Sequence, residues 1–155
     1  MNWVGIVVSG DKVILVHADV GGKEGPISIV ADQIFKLQTG PRPPAYPIVF
    51  QQICKYLSDN KIEKVVIKAS ATSKSTTVAH LHAAELRGIV INAAAISCGD
   101  VVLRAKGVIS KTFGDRKADE YIKDHDFWDD KLIGKNLRVG SREAALLLLA
   151  ERDKL

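Results

Sequence analysis

Cysteine is scarce in this chain. Cys54 and Cys98 are the two in 155 residues, and they show no CxxC spacing and sit in partly apolar, periodic segments. That excludes a disulfide framework or a cysteine-based zinc site, and it reads as two reduced, buried thiols in a cytoplasmic protein. Long apolar runs are absent too. No stretch approaches the roughly 20 residues that a bilayer-spanning helix needs, so no membrane partner is expected. The opening MNWVGIVVSGDKV lacks a basic leader and reaches a charged turn almost at once, so no secretory leader is expected. No glycine-rich phosphate loop and no second domain are present, which argues against a small-molecule kinase. His80 and His82 stand two apart and would point to different faces of a helix, unlike the i, i+4 pair that grips zinc. His17 falls on a strand and His125 in a loop, with no Cys or acid at ligand spacing. No resident metal is expected from these side chains.

What is present is ordinary in composition. Hydrophobic residues make up 46% and charged residues 26%, which suits one soluble globular domain and excludes bulk disorder. A chain of 155 residues buries about two thirds of its unfolded surface. The net charge of +4 and pI near 9.1 are compatible with a polyanion partner without requiring one.

The periodicities place the elements. Trp3–Ser9 and Lys12–Val20 read as strands joined at Gly10-Asp11, a hairpin. A third strand is expected within Ile27–Leu37, and Gly40-Pro41-Arg42-Pro43-Pro44 then breaks regular structure. Ile48, Val49, Gln52, Ile53, Tyr56 and Leu57 recur at helical spacing. Val65-Val66-Ile67 is a short buried strand, and Ala69–Thr77 (ASATSKSTT) a polar loop. A helix carrying Val78, Leu81, Ala84 and Leu86 is expected to stop at Gly88, with Ile89-Val90-Ile91 as the next strand. Loops are expected around Gly107–Gly114 and His125–Gly140, with a closing helix over Arg142–Arg152. The order β-β-β-α-β-α-β-α-α implies a mixed sheet with helices on both faces.

Three segments sharpen that pattern into a resemblance. Gly5-Ile6-Val7 stands where the RuvC resolvases carry Gly-Ile-Asp on the first strand. Val65-Val66-Ile67-Lys68 stands where they carry an apolar strand ending in Glu. Gly140-Ser141-Arg142-Glu143-Ala144-Ala145-Leu146-Leu147 is similar to their closing Asp-Ala-x-Asp-Ala-Leu helix. Ile96–Val102 resembles the family's helix-opening segment after the last strand, and Lys106–Gly114 its basic loop. The chain therefore resembles the RuvC branch of the ribonuclease H-like superfamily over nearly its whole length. The resemblance implies an α/β fold over residues 1–155, with a mixed five-stranded sheet and helices on both faces.

The departures bear on function. The resemblance implies a two-metal phosphodiesterase, whose Mg²⁺ ions need several anionic oxygens at fixed spacing. Here the first-strand position is Val7, which cannot ligate, and the fourth-strand position is Lys68, whose ammonium repels a cation. Glu143 alone remains. Asp11 lies in the turn beyond the first strand, and Asp100 is expected to cap the helix it precedes. The leading expectation is a catalytically degenerate domain without a cofactor, binding branched or structured DNA or RNA, or else a protein partner. The alternative is an active Mg²⁺-dependent nuclease with a relocated site built on Glu143 and Asp11 or Asp100.

Two basic groups are candidate phosphate contacts. Lys68, Ser70, Ser73, Lys74, Ser75 and Thr76 belong to a loop leading into a helix N-terminus, where free N–H groups and the helix dipole favour anions; the same Ser/Thr residues also suit plain capping. Lys106, Lys111, Arg116 and Lys117, with Arg104, form a second group interleaved with Asp115, Asp119 and Glu120, so it reads either as a phosphate-tracking rim or as a mixed-charge surface. Phe127 and Trp128, between acids, read as an exposed pair suited to a protein contact. Tyr46, Phe50 and Tyr56 on the first long helix are candidates for a homodimer interface.

Overall fold

Val4, Ile6 and Val8 turn to one face of the first strand, and Trp3 and Val7 to the other. That period of two is what an extended backbone imposes, and here both faces are apolar because both are covered. A computed structural model describes residues 1–155. Strand β1 (Asn2–Val8) pairs antiparallel with β2 (Lys12–Asp19), and β2 with β3 (Ile27–Lys36). Strand β4 (Lys64–Lys68) lies parallel to β1, and β5 (Val101–Arg104) parallel to β4. A short β6 (Leu132–Gly134) adds to the edge of β3, so the sheet has six strands in the order β5-β4-β1-β2-β3-β6. The mixed α/β class is as expected, and β6 is the strand the five-strand count leaves out.

Helix α1 (Arg42–Asp59) begins with Pro43 and Pro44, in the first turn, where a missing N–H costs nothing. Its Ala45, Val49, Ile53 and Leu57 are buried at i, i+4 spacing. With α2 (Val78–Ser97) it covers one face of the sheet. The other face takes α6 (Arg142–Arg152) and three short helices, α3 (Lys106–Thr112), α4 (Ala118–Lys123) and α5 (His125–Asp129). Helix α6 is buried from Ala144 to Arg152, as a central helix crossing the sheet must be.

Several expectations are corrected here. Ile89-Val90-Ile91 is not a strand. The helix runs through Gly88 to Ser97, because Leu86, Val90, Ala93 and Ala94 continue one buried stripe. Val78, Leu81 and Ala84 face outward instead. The fifth strand is Val101–Arg104, whose apolar residues pair with Val65–Lys68, so Asp100 opens a strand and caps no helix. Lys106–Thr112 is helix rather than loop, and the stretch from His125 to Gly140 contains α5, β6 and a 3-10 turn at Val139–Ser141.

The aromatic expectations change as well. Trp128 is buried, and its indole donates to the Tyr121 carbonyl at 2.9 Å. Phe127 packs edge-on against Trp128 and Phe113, so the pair belongs to the core beneath α3–α5. Tyr46 is tied to Arg42 and Glu85, and Tyr56 to His17 and Phe35. Tyr46, Phe50 and Tyr56 are each half-buried, so part of every ring stays at the surface of α1.

Candidate functional site

The carboxyl ends of the parallel strands β1, β4 and β5 share one edge of the sheet, the place where open α/β sheets hold ligands. Helix α6 reaches that edge because Gly5 lets it. A Cβ at Gly5 would collide with the Ala144 carbonyl and press on Leu148, so only glycine allows β1 and α6 to approach so closely. The same approach brings the N-terminus of α6 over the end of β4.

Lys68 and Glu143 meet there. The Lys68 ammonium donates to Glu143 Oε1, with the two side chains 21% and 17% exposed. Val7 packs in the apolar cluster beneath α6, and its register partner is Ile14, which faces Ile34 in turn. The first strand, the fourth strand and the closing helix thus meet at this edge. One carboxylate, one ammonium and an apolar row occupy the ground.

This donor set does not fit a divalent cation. A hard cation needs several anionic oxygens, and here Glu143 already holds a positive charge supplied by the chain. No group of three His, Cys, Asp or Glu side chains comes together anywhere in the molecule. Asp11 stays exposed in the hairpin turn. Asp100 binds Lys64 at 3.1 Å, at the opening of β4, about 13 Å along the strand from Lys68 at roughly 3.3 Å per residue. Neither joins Glu143.

A second ion network lies farther along the sheet. Glu151, 5% exposed, takes Arg104 at 2.7 Å, Lys64 at 3.3 Å and Lys154 at 3.4 Å. Burial would raise the Glu151 pKa, but hydrogen bonds from Arg104 and Lys64 outweigh it and hold it below the ordinary carboxylate value. Burial likewise opposes the Lys64 charge, and the hydrogen bonds to Asp100 and Glu151 reverse that and raise its pKa. Cations on the sheet face acids on α6, so the charge of this region is balanced from within.

The loop after β4 is the accessible part. Ser70, Ala71, Ser73 and Thr76 border a cleft of about 250 Å³ with Lys68, His80 and Arg87. A second cleft, also about 250 Å³, lies across Lys68–Thr72 and the start of α3 at Lys106. Lys74 and Ser75 sit exposed beyond the clefts. The loop closes on α2 through Thr77, whose Oγ1 accepts the His80 N–H at 3.2 Å, the capping role its residue type predicts.

The two basic groups behave differently. Lys106 pairs with Asp119 and Arg116 with Asp124, each at 2.9 Å, as the mixed-charge reading holds. Lys74, Lys111 and Lys117 are exposed and make no ion pair. The structure therefore brings Lys68, Ser70, Ser73, Thr76 and Lys106 around the β4 end, and leaves Lys111, Arg116 and Lys117 on the α3–α4 turn.

Arg87 and Asp32 are the residues that sequence reasoning missed. Arg87 lies in the buried stripe of α2 beside Leu86 and Val90; extending that helix past Gly88 would have exposed the signal. Asp32 on β3 accepts from Ser141 Oγ at 2.6 Å and Arg138 Nε at 2.8 Å, anchoring the turn into α6. Burial opposes its charge, but the bonds from Arg138 and Ser141 hold its pKa down. No local pattern announces a contact between residues so far apart in the chain.

No protein-family model and no curated protein matches the sequence. The fold does match solved structures. RuvC of Thermus thermophilus superposes with a TM-score of 0.75 at 15% identity, over 97% of this chain and 92% of that one. The same protein in complex with a Holliday junction substrate gives 0.74 at 13% identity, with the same coverage. The yeast mitochondrial Holliday junction resolvase gives 0.66 at 8% identity, over 97% of this chain and 77% of that one.

Proposed function

We propose that this chain, whose fold is the ribonuclease H-like fold of the RuvC-type resolvases, binds branched or structured nucleic acid without cleaving it. The observation that carries the reading is the Lys68–Glu143 ion pair, set where three carboxylates would be needed, with Val7 beside it. A lysine placed on the last acid satisfies the charge that would otherwise recruit a metal. Hydrolysis then lacks both the ion that activates water and the ion that stabilises the leaving oxygen.

Binding draws on the two clefts at that edge and on exposed lysines outside them. No acid borders either cleft, and Lys74, Lys111 and Lys117 supply unpaired exposed charge. Phosphate contacts of this kind give affinity that falls steeply with salt and carries little sequence readout. DNA and RNA are both candidates, and the Holliday junction complex of the Thermus protein makes a four-way junction the first substrate to try.

Homodimerisation remains part of the reading through α1, where Tyr46 and Phe50 border an open apolar groove with Pro43, Pro47 and Ile89.

The test uses labelled four-way junctions, duplexes and single strands of DNA and RNA, with Mg²⁺ or Mn²⁺. Expected is salt-sensitive binding without cleavage, weakened by Lys74→Ala and Lys111→Ala. Cleavage abolished by Glu143→Ala overturns the degenerate reading in favour of the relocated nuclease site. Absence of any nucleic-acid binding shifts the function to a protein partner.

A further inference from the structure

Arg87 is a buried charge without a counter-charge. It lies in the middle of α2 with 9% of its surface exposed, and no carboxylate of the chain pairs with it. A guanidinium offers five N–H donors. Here one terminal nitrogen donates to Ser70 Oγ at 2.5 Å and the other to the Val8 carbonyl at 3.3 Å. The buried Nε has no acceptor among the protein atoms. Both partners are neutral, so the positive charge is held in place without being balanced.

That arrangement is costly in an interior, where a charge needs a counter-charge. Glu151 is matched by Arg104, Lys64 and Lys154, and Arg152, whose Nε also lacks an acceptor, still has the Asp153 carboxylate at 4.0 Å, whereas Arg87 has no acid at all. Burial pushes the Arg87 pKa down, with nothing opposing it. The surroundings do not compensate, since the cleft that Arg87 borders is lined by neutral and basic residues alone.

The same cleft collects further donors. Ser70 and Thr76 bring hydroxyls, Ser73 Oγ is taken by the Ser75 carbonyl at 3.0 Å, and Lys68 lines the cleft with its ammonium held by Glu143. His80 Nδ1 accepts the Thr77 N–H at 3.4 Å, which leaves Nε2 as the nitrogen that carries hydrogen. The N-terminus of α2, a helix of 20 residues, opens beside it and adds its dipole. At about 250 Å³ the cleft has the room of roughly eight waters at about 30 Å³ each, enough for one phosphoryl group and part of a sugar.

We propose that Arg87, with Ser70 and the N-terminus of α2, forms a pocket for a phosphate monoester: the terminal phosphate of a nucleic-acid strand or of a free mononucleotide. A monoester fits better than an internal phosphodiester. It presents a dianion on a single substituent, so it can enter a cleft towards a buried cation while the remainder stays outside. A backbone phosphate has a sugar on each side and must lie across a surface. A guanidinium suits the planar, two-point recognition of phosphate oxygens. The strand-end source rests on the nucleic-acid reading above; the mononucleotide source does not.

The experiment compares a short 3′-fluorescein oligonucleotide bearing either a 5′-phosphate or a 5′-hydroxyl, by anisotropy at low salt. In parallel, a nucleoside 5′-monophosphate and inorganic phosphate are titrated by calorimetry. Expected is at least about tenfold tighter binding of the phosphorylated end, as charge-assisted hydrogen bonds to phosphate supply. That preference disappears in Arg87→Met, which keeps the buried stem. It also disappears in Ala71→Glu, which places an acid in the exposed loop and does not disturb the core. Competition by the nucleoside monophosphate identifies a mononucleotide pocket; a strand preference without such competition identifies a strand-end pocket. Equal affinity for the two oligonucleotides, with salt-sensitive binding retained, overturns this inference and leaves the nucleic-acid reading standing. If neither oligonucleotide binds, that reading fails, and calorimetry decides the pocket: no heat with the monophosphate overturns it as well.

Discussion

Removing one member of the Lys68–Glu143 pair should destabilise the fold, and removing both should largely restore it. Lys68→Met keeps most of the side-chain stem but leaves the Glu143 carboxylate, 17% exposed, without its cation. Glu143→Leu does the converse to Lys68. Exposed pairs contribute about 0–1 kcal/mol, whereas losing one partner of a buried pair costs about 3–5 kcal/mol. With side chains 21% and 17% exposed, this pair falls between, so each single change should cost about 1–3 kcal/mol. The double variant should lie within about 1 kcal/mol of the parent, because an apolar pair of similar volume replaces a partly desolvated ionic one.

Urea unfolding followed by circular dichroism reads this directly. With a slope of about 2 kcal/mol per molar, each single variant should lower the midpoint by about 0.5–1.5 M. Additivity of the two single effects within about 0.3 kcal/mol would refute the coupling, and with it the claim that a lysine stands in for the metal. The converse experiment rebuilds the acids. Val7→Asp with Lys68→Glu sets two new carboxylates beside Glu143, so the variant should be destabilised in EDTA and recover with Mg²⁺ or Mn²⁺. A cation at about ten times its dissociation constant returns about 1.4 kcal/mol. No recovery would mean that the three positions do not converge closely enough to share an ion.

Two further expectations follow from the core and from the shifted acids. Gly5→Ala forces a Cβ against the Ala144 carbonyl; it should cost about 3 kcal/mol or more or yield insoluble protein, and a soluble variant of unchanged midpoint would refute the close crossing of β1 and α6. Asp32 and Glu151 have folded pKa values held below the ordinary 3.8 and 4.5. Their stabilisation is therefore fully present above those values and is lost as pH falls through the lower folded ones. His17 is pushed down from 6.5 by burial, which the Asp19 charge only partly offsets, so its contribution is likewise present above pH 6.5 and fades below it. Stability measured from pH 8 to 3 should fall in two stages: His17→Phe should flatten the first, and Asp32→Asn with Glu151→Gln the second. An unchanged profile in these variants would show that the groups do not titrate as their partners imply.

The hairpin of β1 and β2, the buried strand β4 and the closing helix α6 were legible in the sequence because each depends on local period: alternation in Trp3–Val8, an apolar run bounded by polar residues at Val65–Ile67, and a dense apolar stripe after Arg142. Local period also misled. Ile89-Val90-Ile91 and Val101-Val102-Leu103 are nearly the same in composition, yet the first is helix and the second strand. Only packing separates them: Val90 completes a stripe against the sheet, whereas Val102 and Leu103 find open backbone on β4. Phe127 and Trp128 went astray for the same reason, since nothing local says that α5 turns its tryptophan inward.

The sequence by itself determined that valine stands at position 7 and lysine at position 68, because residue identity needs no coordinates to read. What the tertiary structure decided was which groups they meet. Lys68 and Glu143 are 75 residues apart, and Arg87 meets Val8 across 79. Whether two charges pair or one is left unbalanced depends on distance and burial, and over such separations only the folded chain sets either.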